Sequence, residues 1–407
     1  MRFLYNKNLH SLNRRCIIVL IDYGFRKDFY MIPDLKDLRK EIDDIDEQMT
    51  ALFEKRMAIA EQVARFKIEN KKPVFDRNRE LEKLQSVSEK AHSNFNRCGI
   101  QELYQQIMSI SRKRQYQLLQ EHGIFQKNLF IPVEKLEKEN VSVVFQGVEG
   151  AYSHAAMRCF FGPSIRSYHV DTWKDAMEEI KHGRALYAVL PIENSTAGIV
   201  QDNYDLLTAY DHVIVGEQII PCQHVLAGIP GSTLSDIQHV YSHPQALMQC
   251  REFLDSNENW CTHDFSNTAA AAKKVALEKD KTQAAIASPY AAEYFGLSVL
   301  KEGIFSNPEN STRFIIVTKN KIYQKAASKI SVSYELPHES GSLYNSLSHF
   351  IYNGLNMTKI ESRPIADRNW EYRFFVDFEG NLSDSAVKNA LCGLSFEVQN
   401  LRIHGNY

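Results

Sequence analysis

The chain has 407 residues, of which 44% are hydrophobic, so it is long enough for two or three globular domains. Its 48 lysines and arginines nearly balance its 50 aspartates and glutamates, which excludes a general attraction to nucleic acid or to an anionic membrane. The seven cysteines are scattered and form no C-x-x-C pair. We therefore predict neither a zinc site nor a disulfide framework, and we expect a reducing compartment, the cytoplasm.

Residues 1–31 form an N-terminal extension that stands apart from the organised part of the chain. Its apolar run, residues 16–21, is too short to span a membrane and is followed by Asp22 rather than by a small-residue cleavage site. Because the segment is basic, two interpretations stay open: a leader that targets an organelle, or an extension that is irrelevant to the fold. Met31 lies directly before the first organised segment.

Apolar residues recur at alternating spacings of three and four between residues 35 and 66, which is typical of a long helix packed on another helix. Arg56 falls in this seam, where a guanidinium is costly unless an anion meets it. A snorkelling or register-setting arginine in a plain coiled coil is the alternative. Lys67 lies about 16 Å beyond Arg56, so their long side chains can bracket a small dianion. Arg39 lies about 25 Å in the other direction and is predicted to complete a site on a second chain.

Two further helices add polar residues to this module. Asp76 is placed to cap the second helix, whose first turn holds Arg79 and Glu80. In the third helix, Ser111 and Gln115 continue an apolar stripe, and buried polar groups of this kind need partners. A bound ligand would supply those partners.

Residues 32–120 resemble the small all-helical chorismate mutase domain, whose motif residues match here one by one: Arg39, Arg56, Lys67, Asp76, Arg79, Glu80, Ser111 and Gln115. The resemblance implies an intertwined dimer in which the first helix donates its arginine across the interface. It also implies the pericyclic rearrangement of chorismate to prephenate, which needs no nucleophile, metal or cofactor. The enzyme would hold the compact substrate conformer and stabilise charge on the ether oxygen.

The same resemblance implies roles within this set. Its three arginines would hold the two substrate carboxylates and their surroundings, and Lys67 and Gln115 would face the ether oxygen. Glu80 with Asp76 would meet the ring hydroxyl or orient the cations, and the sequence does not separate these two roles.

Residues 121–140 are predicted to be a linker, and beyond them long helices give way to alternating strands and helices, typical of an α/β fold. We expect one lobe over residues 141–220, a second over 222–300, and a return strand through 312–317. Polar segments fall at the strand ends, where helix N-termini offer free N–H groups to anions: residues 147–153, 191–195, 242–245 and 309–314. Helix capping or a tight turn also explains each segment taken singly, for example a capping box of Ser242 with Gln245.

Together these segments resemble prephenate dehydratase over essentially all of residues 141–320. The resemblance implies a two-lobed fold of the periplasmic-binding-protein type, in which prephenate loses its C4 hydroxyl and its ring carboxylate to give phenylpyruvate. The matching positions for catalysis and then for substrate binding are Thr312, Glu193, Asn194, Ser242 and Gln249, followed by Arg313 and Ser153.

Thr312 is predicted to hydrogen-bond or relay a proton to the departing hydroxyl, with Arg313 on a carboxylate. Whether Glu193 is the source of the proton stays open. His154 and His243 each follow a serine expected to cap a helix, so we predict no catalytic role for either.

Residues 328–407 show a β-α-β-β-α-β pattern. They resemble the ACT regulatory domain through two short motifs: Gly341, Ser342, Leu343 and Tyr344, and Glu361, Ser362, Arg363 and Pro364. The resemblance implies that phenylalanine binds between paired copies and shifts the population toward an inhibited arrangement. A purely structural dimerisation module is the alternative.

We therefore predict a multidomain, bifunctional chorismate mutase and prephenate dehydratase with an all-α domain, an α/β domain and an α+β domain. Its expected partners are chorismate, prephenate, phenylalanine and at least one further copy of the chain. One alternative is a non-catalytic, two-lobed amino-acid or anion-binding regulator with a helical dimerisation module, which needs neither Arg56 in the seam nor Thr312 at the strand end. Another is an enzyme that has kept one activity and lost the other.

Overall fold

The structure, a computed structural model, describes residues 17–19, 30–32, 34–123, 130–365 and 368–407. The chain divides into two compact units, Met1–Ile124 and Phe125–Tyr407. Most of the predicted extension 1–31 and residues 124–129 of the predicted linker lie outside the described residues. Two short antiparallel strands are described in this region, β1 (Ile17–Val19) within the extension and β2 (Tyr30–Ile32) at its C-terminal end.

The described part of the first unit contains three helices, α1 (Leu35–Glu69), α2 (Arg77–Ser88) and α3 (Asn94–Glu121). Each begins at a side chain that accepts a backbone N–H: Asp34, Asp76 and Ser93. The predicted capping role of Asp76 is therefore observed, and its side chain accepts from the backbone of Arg79 at 3.1 Å.

The apolar seam of α1 is not the face that packs within the chain. Buried Ala60 and Ala64 lie on the same side of α1 as Arg56, whose guanidinium contacts α3. The seam itself is exposed in this single chain, with Leu52 exposed by 66%. The other exposed seam residues are Leu35, Leu38, Ile42, Ile45, Met49, Ile59, Val63 and Phe66.

The second unit begins earlier than the predicted linker boundary. Strand β3 (Ile131–Val133) pairs in parallel with a later strand, β15 (Ile322–Gln324), and Leu136 is buried. Part of the predicted linker 121–140 therefore belongs to the body of the second unit.

The second unit contains two lobes and a C-terminal domain. The first lobe is built on β4 (Ser142–Gln146), β5 (Arg166–Val170), β6 (Tyr187–Asn194), β7 (Gly198–Ile199), β8 (Val213–Pro221) and β14 (Ser311–Thr318), with α4 (Tyr152–Phe161), α5 (Trp173–Lys181) and α6 (Gln201–Ala209). The second lobe is a separate five-stranded sheet in the order β11-β10-β12-β9-β13. Its elements are β9 (Val225–Gly228), a 3-10 turn (Leu234–Asp236), β10 (His239–Ser242), α7 (Pro244–Gln249), α8 (Arg251–Asp255), β11 (Cys261–Asp264), α9 (Thr268–Glu278), β12 (Gln283–Ala287), α10 (Pro289–Tyr294) and β13 (Ser298–Lys301). The crossovers fall between β8 and β9 and between β13 and β14, as the sequence predicts.

Residues 328–407, called the C-terminal domain below, have the predicted order β16 (Lys329–Leu336), α11 (Ser342–Tyr352), β17 (Met357–Pro364), β18 (Tyr372–Glu379), α12 (Ser385–Glu397) and β19 (Gln399–Asn406). Its sheet is not separate: the order β17-β18-β16-β19-β8-β14-β6-β4-β5 joins it to the first lobe. The junction is the pair Gly405 with Ile214, and Phe375 packs on Tyr204 of α6 with ring centroids 4.8 Å apart.

Replacing Gly405 by alanine is expected to disrupt this junction, because a Cβ there would lie 2.0 Å from the Ile214 carbonyl oxygen. We expect the free energy of unfolding of the second unit to fall by about 1–3 kcal/mol, the usual cost of overpacking. Urea unfolding measures it. Gly99→Ala is the control, because its Cβ would meet nothing within 4 Å. Equal stability of Gly405→Ala and the unmodified chain would contradict the contact.

Candidate active sites

Helices α1, α2 and α3 line an open cavity of about 280 Å³. All of the residues predicted for this module line it except Arg39: Arg56, Lys67, Asp76, Arg79, Glu80, Ser111 and Gln115. Arg39 lies on the exposed N-terminal half of α1. Helical periodicity places these side chains together, because residues three or four apart share one face of a helix.

Two cations of this cavity are partly desolvated. The Arg56 guanidinium donates to Ser111 Oγ, and Lys67 Nζ donates to the Val74 carbonyl at 2.6 Å. Burial lowers the pKa of Arg56 and of Lys67, although nearby acidic groups oppose this shift. The protein therefore leaves part of the desolvation cost of both charges uncompensated, and an anionic ligand in the cavity would offset it.

The sequence interpretation missed Arg112, a buried cation of the same cavity. Its Nη1 donates to both carboxylate oxygens of Glu80 at 2.6 Å. A signal was present, because Arg112 follows Met108 by four residues and precedes Gln115 by three on the buried face of α3. The Glu80 carboxylate is thus held by a cation, while Gln115 Oε1 is buried with no hydrogen-bond partner among the described residues.

A second cavity, of about 310 Å³, lies between the two lobes of the second unit. The first lobe contributes Asn194 and Thr312, and the second contributes Gln249. The other polar residues that line this cleft are Tyr152, Cys222, His224, His243, Gln245, Asn267, Thr268 and Asn310.

The Thr312 hydroxyl has fixed neighbours in this cleft. Thr312 Oγ1 accepts from Asn194 Nδ2 at 3.0 Å and lies 3.1 Å from Cys222 Sγ. The Asn194 amide is itself oriented, because its Oδ1 accepts backbone N–H groups of Thr196 and Ala197 at 3.0 and 2.8 Å. With Asn194 as donor, the Thr312 hydroxyl hydrogen can point either at Cys222 Sγ or at a ligand in the cleft.

Tyr152, His224 and Gln249 also line the cleft and are connected by short polar contacts. Tyr152 Oη lies 3.1 Å from His224 Nδ1, and His224 Nε2 lies 2.8 Å from Gln249 Oε1. Burial raises the pKa of Tyr152 and lowers that of His224, so both are neutral near pH 7. Tyr152 fell within the predicted segment 147–153, whereas no motif signalled His224 or Cys222.

Glu193 and Arg313 are not brought to this cleft. Successive side chains of a strand point to opposite faces, and the register pairs Asn194 with Thr312 and Glu193 with Arg313. The first pair faces the cleft, so the second faces the C-terminal domain. The prediction that Arg313 binds substrate therefore fails on geometry, as does a direct approach of Glu193 to the substrate.

Ser242 and Ser153 are structural. Ser242 is fully buried and its Oγ donates to the Ile286 carbonyl at 2.6 Å, while Ser153 Oγ donates to the Gln146 carbonyl at 2.7 Å. The predicted capping box of Ser242 is wrong, because α7 is capped by His243, whose Nδ1 accepts from the Gln245 N–H at 3.3 Å.

His154 is also engaged within the fold, since its Nδ1 accepts the Gly150 N–H at 3.0 Å. Burial lowers its pKa to about 4, so the ring is neutral near pH 7.

The two motifs predicted for an effector lie at different places in the C-terminal domain. Gly341 caps α11 with a φ of 81°, a conformation that favours glycine, and exposed Tyr344 follows in the first turn. On β17, Ser362 and Pro364 are exposed. Arg363 lies on the other face, where its Nη2 donates to Asp205 of α6 at 2.7 Å.

A cation-lined cavity in a helical unit and a polar cleft between two α/β lobes define a two-site enzyme for small anionic substrates. Residues 38–116 match the family described as chorismate mutase type II, and residues 143–322 match prephenate dehydratase. A bifunctional chorismate mutase/prephenate dehydratase of Aquifex aeolicus is 32% identical over 379 residues, which cover 92% of this chain and 98% of that one. The chain belongs to the family of bifunctional chorismate mutase/prephenate dehydratases.

Solved structures resemble this chain over about two thirds of its length. Prephenate dehydratase from Arthrobacter aurescens in complex with L-Phe is 34% identical, with a TM-score of 0.60 over 66% of this chain and 89% of that chain. A protein described as GqqA, a novel type of quorum quenching acylase, is 32% identical, with a TM-score of 0.60 over 65% of this chain and 96% of that one. None of the helices in the described part of the chain is long and apolar enough to span a bilayer.

The predicted pair of activities is thereby confirmed at the level of the family: chorismate is converted to prephenate, and prephenate to phenylpyruvate, in phenylalanine biosynthesis. The non-catalytic regulator is not favoured, because both catalytic domains match over most of their length.

Proposed function

We propose that chorismate binds in the helical cavity and prephenate in the interlobe cleft, with the domains spanning residues 32–120, 141–320 and 328–407. The convergence of Arg56 and Lys67, two partly desolvated cations, on one cavity is the observation that carries this proposal. Purified protein supplied with chorismate should form phenylpyruvate, and prephenate supplied separately should be consumed in the same preparation. If chorismate or prephenate is not converted, the site proposed for that substrate is wrong.

In the helical cavity, Arg56 and Arg79 hold the carboxylates of chorismate in the compact conformer, while Lys67 and Gln115 stabilise the ether oxygen as its bond to carbon breaks. Gln115 lines this cavity, and its amide nitrogen is the group that donates to the ether oxygen, because an ether oxygen can only accept. The ion pair of Glu80 with Arg112 favours the orienting role for Glu80 over contact with the ring hydroxyl.

In the interlobe cleft, the bond from the ring carbon to the carboxylate breaks, CO₂ leaves, and its electron pair enters the ring as the C4 hydroxide departs. The hydroxide takes up one proton and leaves as water. Thr312 donates a hydrogen bond to the departing oxygen and passes on a proton taken from solvent, because its own hydroxyl is too weak an acid to ionise. Glu193 is not the source of the proton in this scheme, since its side chain lies on the opposite face of the sheet.

We further propose that the mutase site is completed across a homodimer. The exposed seam of α1 and the position of Arg39 outside the cavity support a partner helix that covers the seam and supplies that arginine. The oligomer is at least a dimer, and a higher homo-oligomer is compatible with the same contact.

Subunit mixing tests this sharing of sites. Arg39→Ala and Arg56→Ala should each be inactive as mutases, because each lacks one cation in every site. Mixed after dissociation and reassociation, they should regain about a quarter of the unmodified activity, since half of the dimers are mixed and each has one intact site. If the mixture stays inactive although mixed dimers form, Arg39 does not act across the interface.

Phenylalanine is proposed as the effector at the two motifs of the C-terminal domain. The glycine turn at Gly341 offers backbone N–H groups to a carboxylate, and the solved relative with bound L-Phe is consistent with this ligand. The described cysteines are free thiols, which supports the reducing cytoplasm as the compartment.

A further inference from the structure

Strands β6 and β14 carry polar side chains on the face that lines the cleft and charged side chains on the opposite face. Asn194 and Thr312 are cross-strand partners that face the cleft, and their chain neighbours Glu193 and Arg313 are cross-strand partners behind them. Each back-face residue therefore shares a peptide unit with a residue of the cleft.

The C-terminal domain presents a matching pair of charges to this back face. Lys359 of β17 and Asp377 of β18 are also cross-strand partners. Arg313 Nη1 donates to Asp377 Oδ2 at 2.9 Å. Lys359 Nζ lies 2.7 Å from Glu193 Oε2 and forms an ion pair with it, although the angle at the ammonium is not that of a hydrogen bond. Glu193, Arg313, Lys359 and Asp377 together are called the charge quartet below.

Three members of the charge quartet are largely withdrawn from water, whereas the side chain of Glu193 is exposed by 35%. The side chains of Arg313, Lys359 and Asp377 are exposed by only 14, 13 and 11%. Burial alone would lower the pKa of Arg313, but Tyr407 and Asp377 hold it above its ordinary value. Separating these charges would leave Asp377 and Lys359 without their charged partners in the first lobe, while Arg313 would keep Glu217 of β8 at 2.7 Å. The contact therefore resists a shift of the C-terminal domain against β6 and β14.

The strand that carries Lys359 also carries part of the effector motif. On β17, Ser362 and Pro364 are exposed on one face, while Lys359 and Arg363 on the other face form ion pairs with the first lobe. A displacement of this strand by a ligand at its exposed face therefore acts on the charge quartet directly.

We propose that Glu193 and Arg313 are positioning residues: through the charge quartet the C-terminal domain fixes the main chain of Asn194 and Thr312, and effector binding alters dehydration by shifting this contact. The inference rests on the proposed roles of Thr312 and phenylalanine. It assigns to Glu193 a function that requires no contact with the substrate.

A double-mutant cycle on the full chain tests the linkage, with Glu193→Gln, Lys359→Met and the two combined. Each single change should lower the dehydratase kcat by about tenfold with little change in KM for prephenate, because a misplaced hydroxyl affects the departing group. The combined variant should lose no more than either single variant, since both remove one contact. Each variant should also need at least about fivefold more phenylalanine for half-inhibition.

Two further variants separate positioning from a merely structural effect. Lys359→Arg keeps the charge and should retain both kcat and the phenylalanine response. Lys325→Met removes an exposed ion pair with Glu134 in the same unit and should behave as the unmodified chain. The mutase activity of every variant gives the enzyme concentration independently, because that site lies in the other unit.

Other results overturn the linkage. If Glu193→Gln abolishes turnover while Lys359→Met keeps normal kcat and normal inhibition, Glu193 acts on the substrate directly. Additive losses in the combined variant, or normal behaviour of both single variants, also contradict the charge quartet. These outcomes differ from failure of the proposed function, which would appear as full turnover in Thr312→Ala or as no inhibition of the unmodified chain by phenylalanine.

Discussion

Dehydratase turnover is expected to fall by about 10²- to 10³-fold when Thr312 is replaced by alanine, the usual loss when one donor to a departing or developing oxyanion is removed. The loss should appear in kcat, because the hydrogen bond strengthens as hydroxide departs. Thr312→Ser retains the hydroxyl and should recover part of the rate. Single-turnover consumption of prephenate measures both variants.

Thr318→Ala is the matched control for this prediction. It makes the same change at the other end of β14, where Thr318 is fully buried and its Oγ1 accepts a backbone N–H of Asn320. We expect some loss of stability but normal turnover per folded enzyme. A Thr312→Ala enzyme with full dehydratase activity would contradict the role assigned to this hydroxyl.

The mutase activity is expected to fall by a comparable factor, about 10²- to 10³-fold, when Arg56 is replaced by alanine, with dehydratase activity unchanged. The reason is that the partly buried Arg56 guanidinium is assigned to a substrate carboxylate, which would lose that charged partner on entering the cavity. Arg56→Lys should recover only part of the rate, because an ammonium cannot form the planar, paired contact.

Arg65→Ala is the matched control, since Arg65 lies on the same helix but is exposed and outside the cavity. Its mutase activity should be normal. Chorismate consumption followed by absorbance distinguishes the variants. An equal loss in Arg56→Ala and Arg65→Ala would indicate a general effect of charge on α1 rather than a contact with the substrate.

The helical cavity could be predicted residue by residue because helical spacing is local. Ser111 and Gln115 continue the apolar stripe on the buried face of α3, whereas Arg56 interrupts the exposed seam of α1. The structure brings all three to one cavity. Arg112 was missed although it lies on the same buried face of α3 as Ser111 and Gln115.

The faces of β14 could not be predicted from its sequence. Residues Phe314–Val317 are all buried, so the strand shows no alternation that tells which face meets the cleft. Only the register with β6 separates Thr312 from Arg313, and that register depends on residues more than 100 positions away. The motif located the strand but not the direction of its side chains.

Two other features depend on long-range contacts with no local signal. Cys222 and His224 reach the cleft because the chain crosses between lobes after β8, and neither lies in a polar motif. The continuous sheet depends on Gly405 meeting Ile214, a pairing that no periodicity in either strand encodes. The C-terminal domain was therefore predicted in topology but not in its attachment.

The most direct measurement is a crystal structure of the full chain with a dianionic mimic of the mutase transition state and with phenylpyruvate. The account predicts that Arg56 and Lys67 donate to the first ligand and that Thr312 Oγ1 lies within hydrogen-bond distance of the second. Ligands bound elsewhere, with Arg56 and Thr312 directed to bulk water, would contradict it.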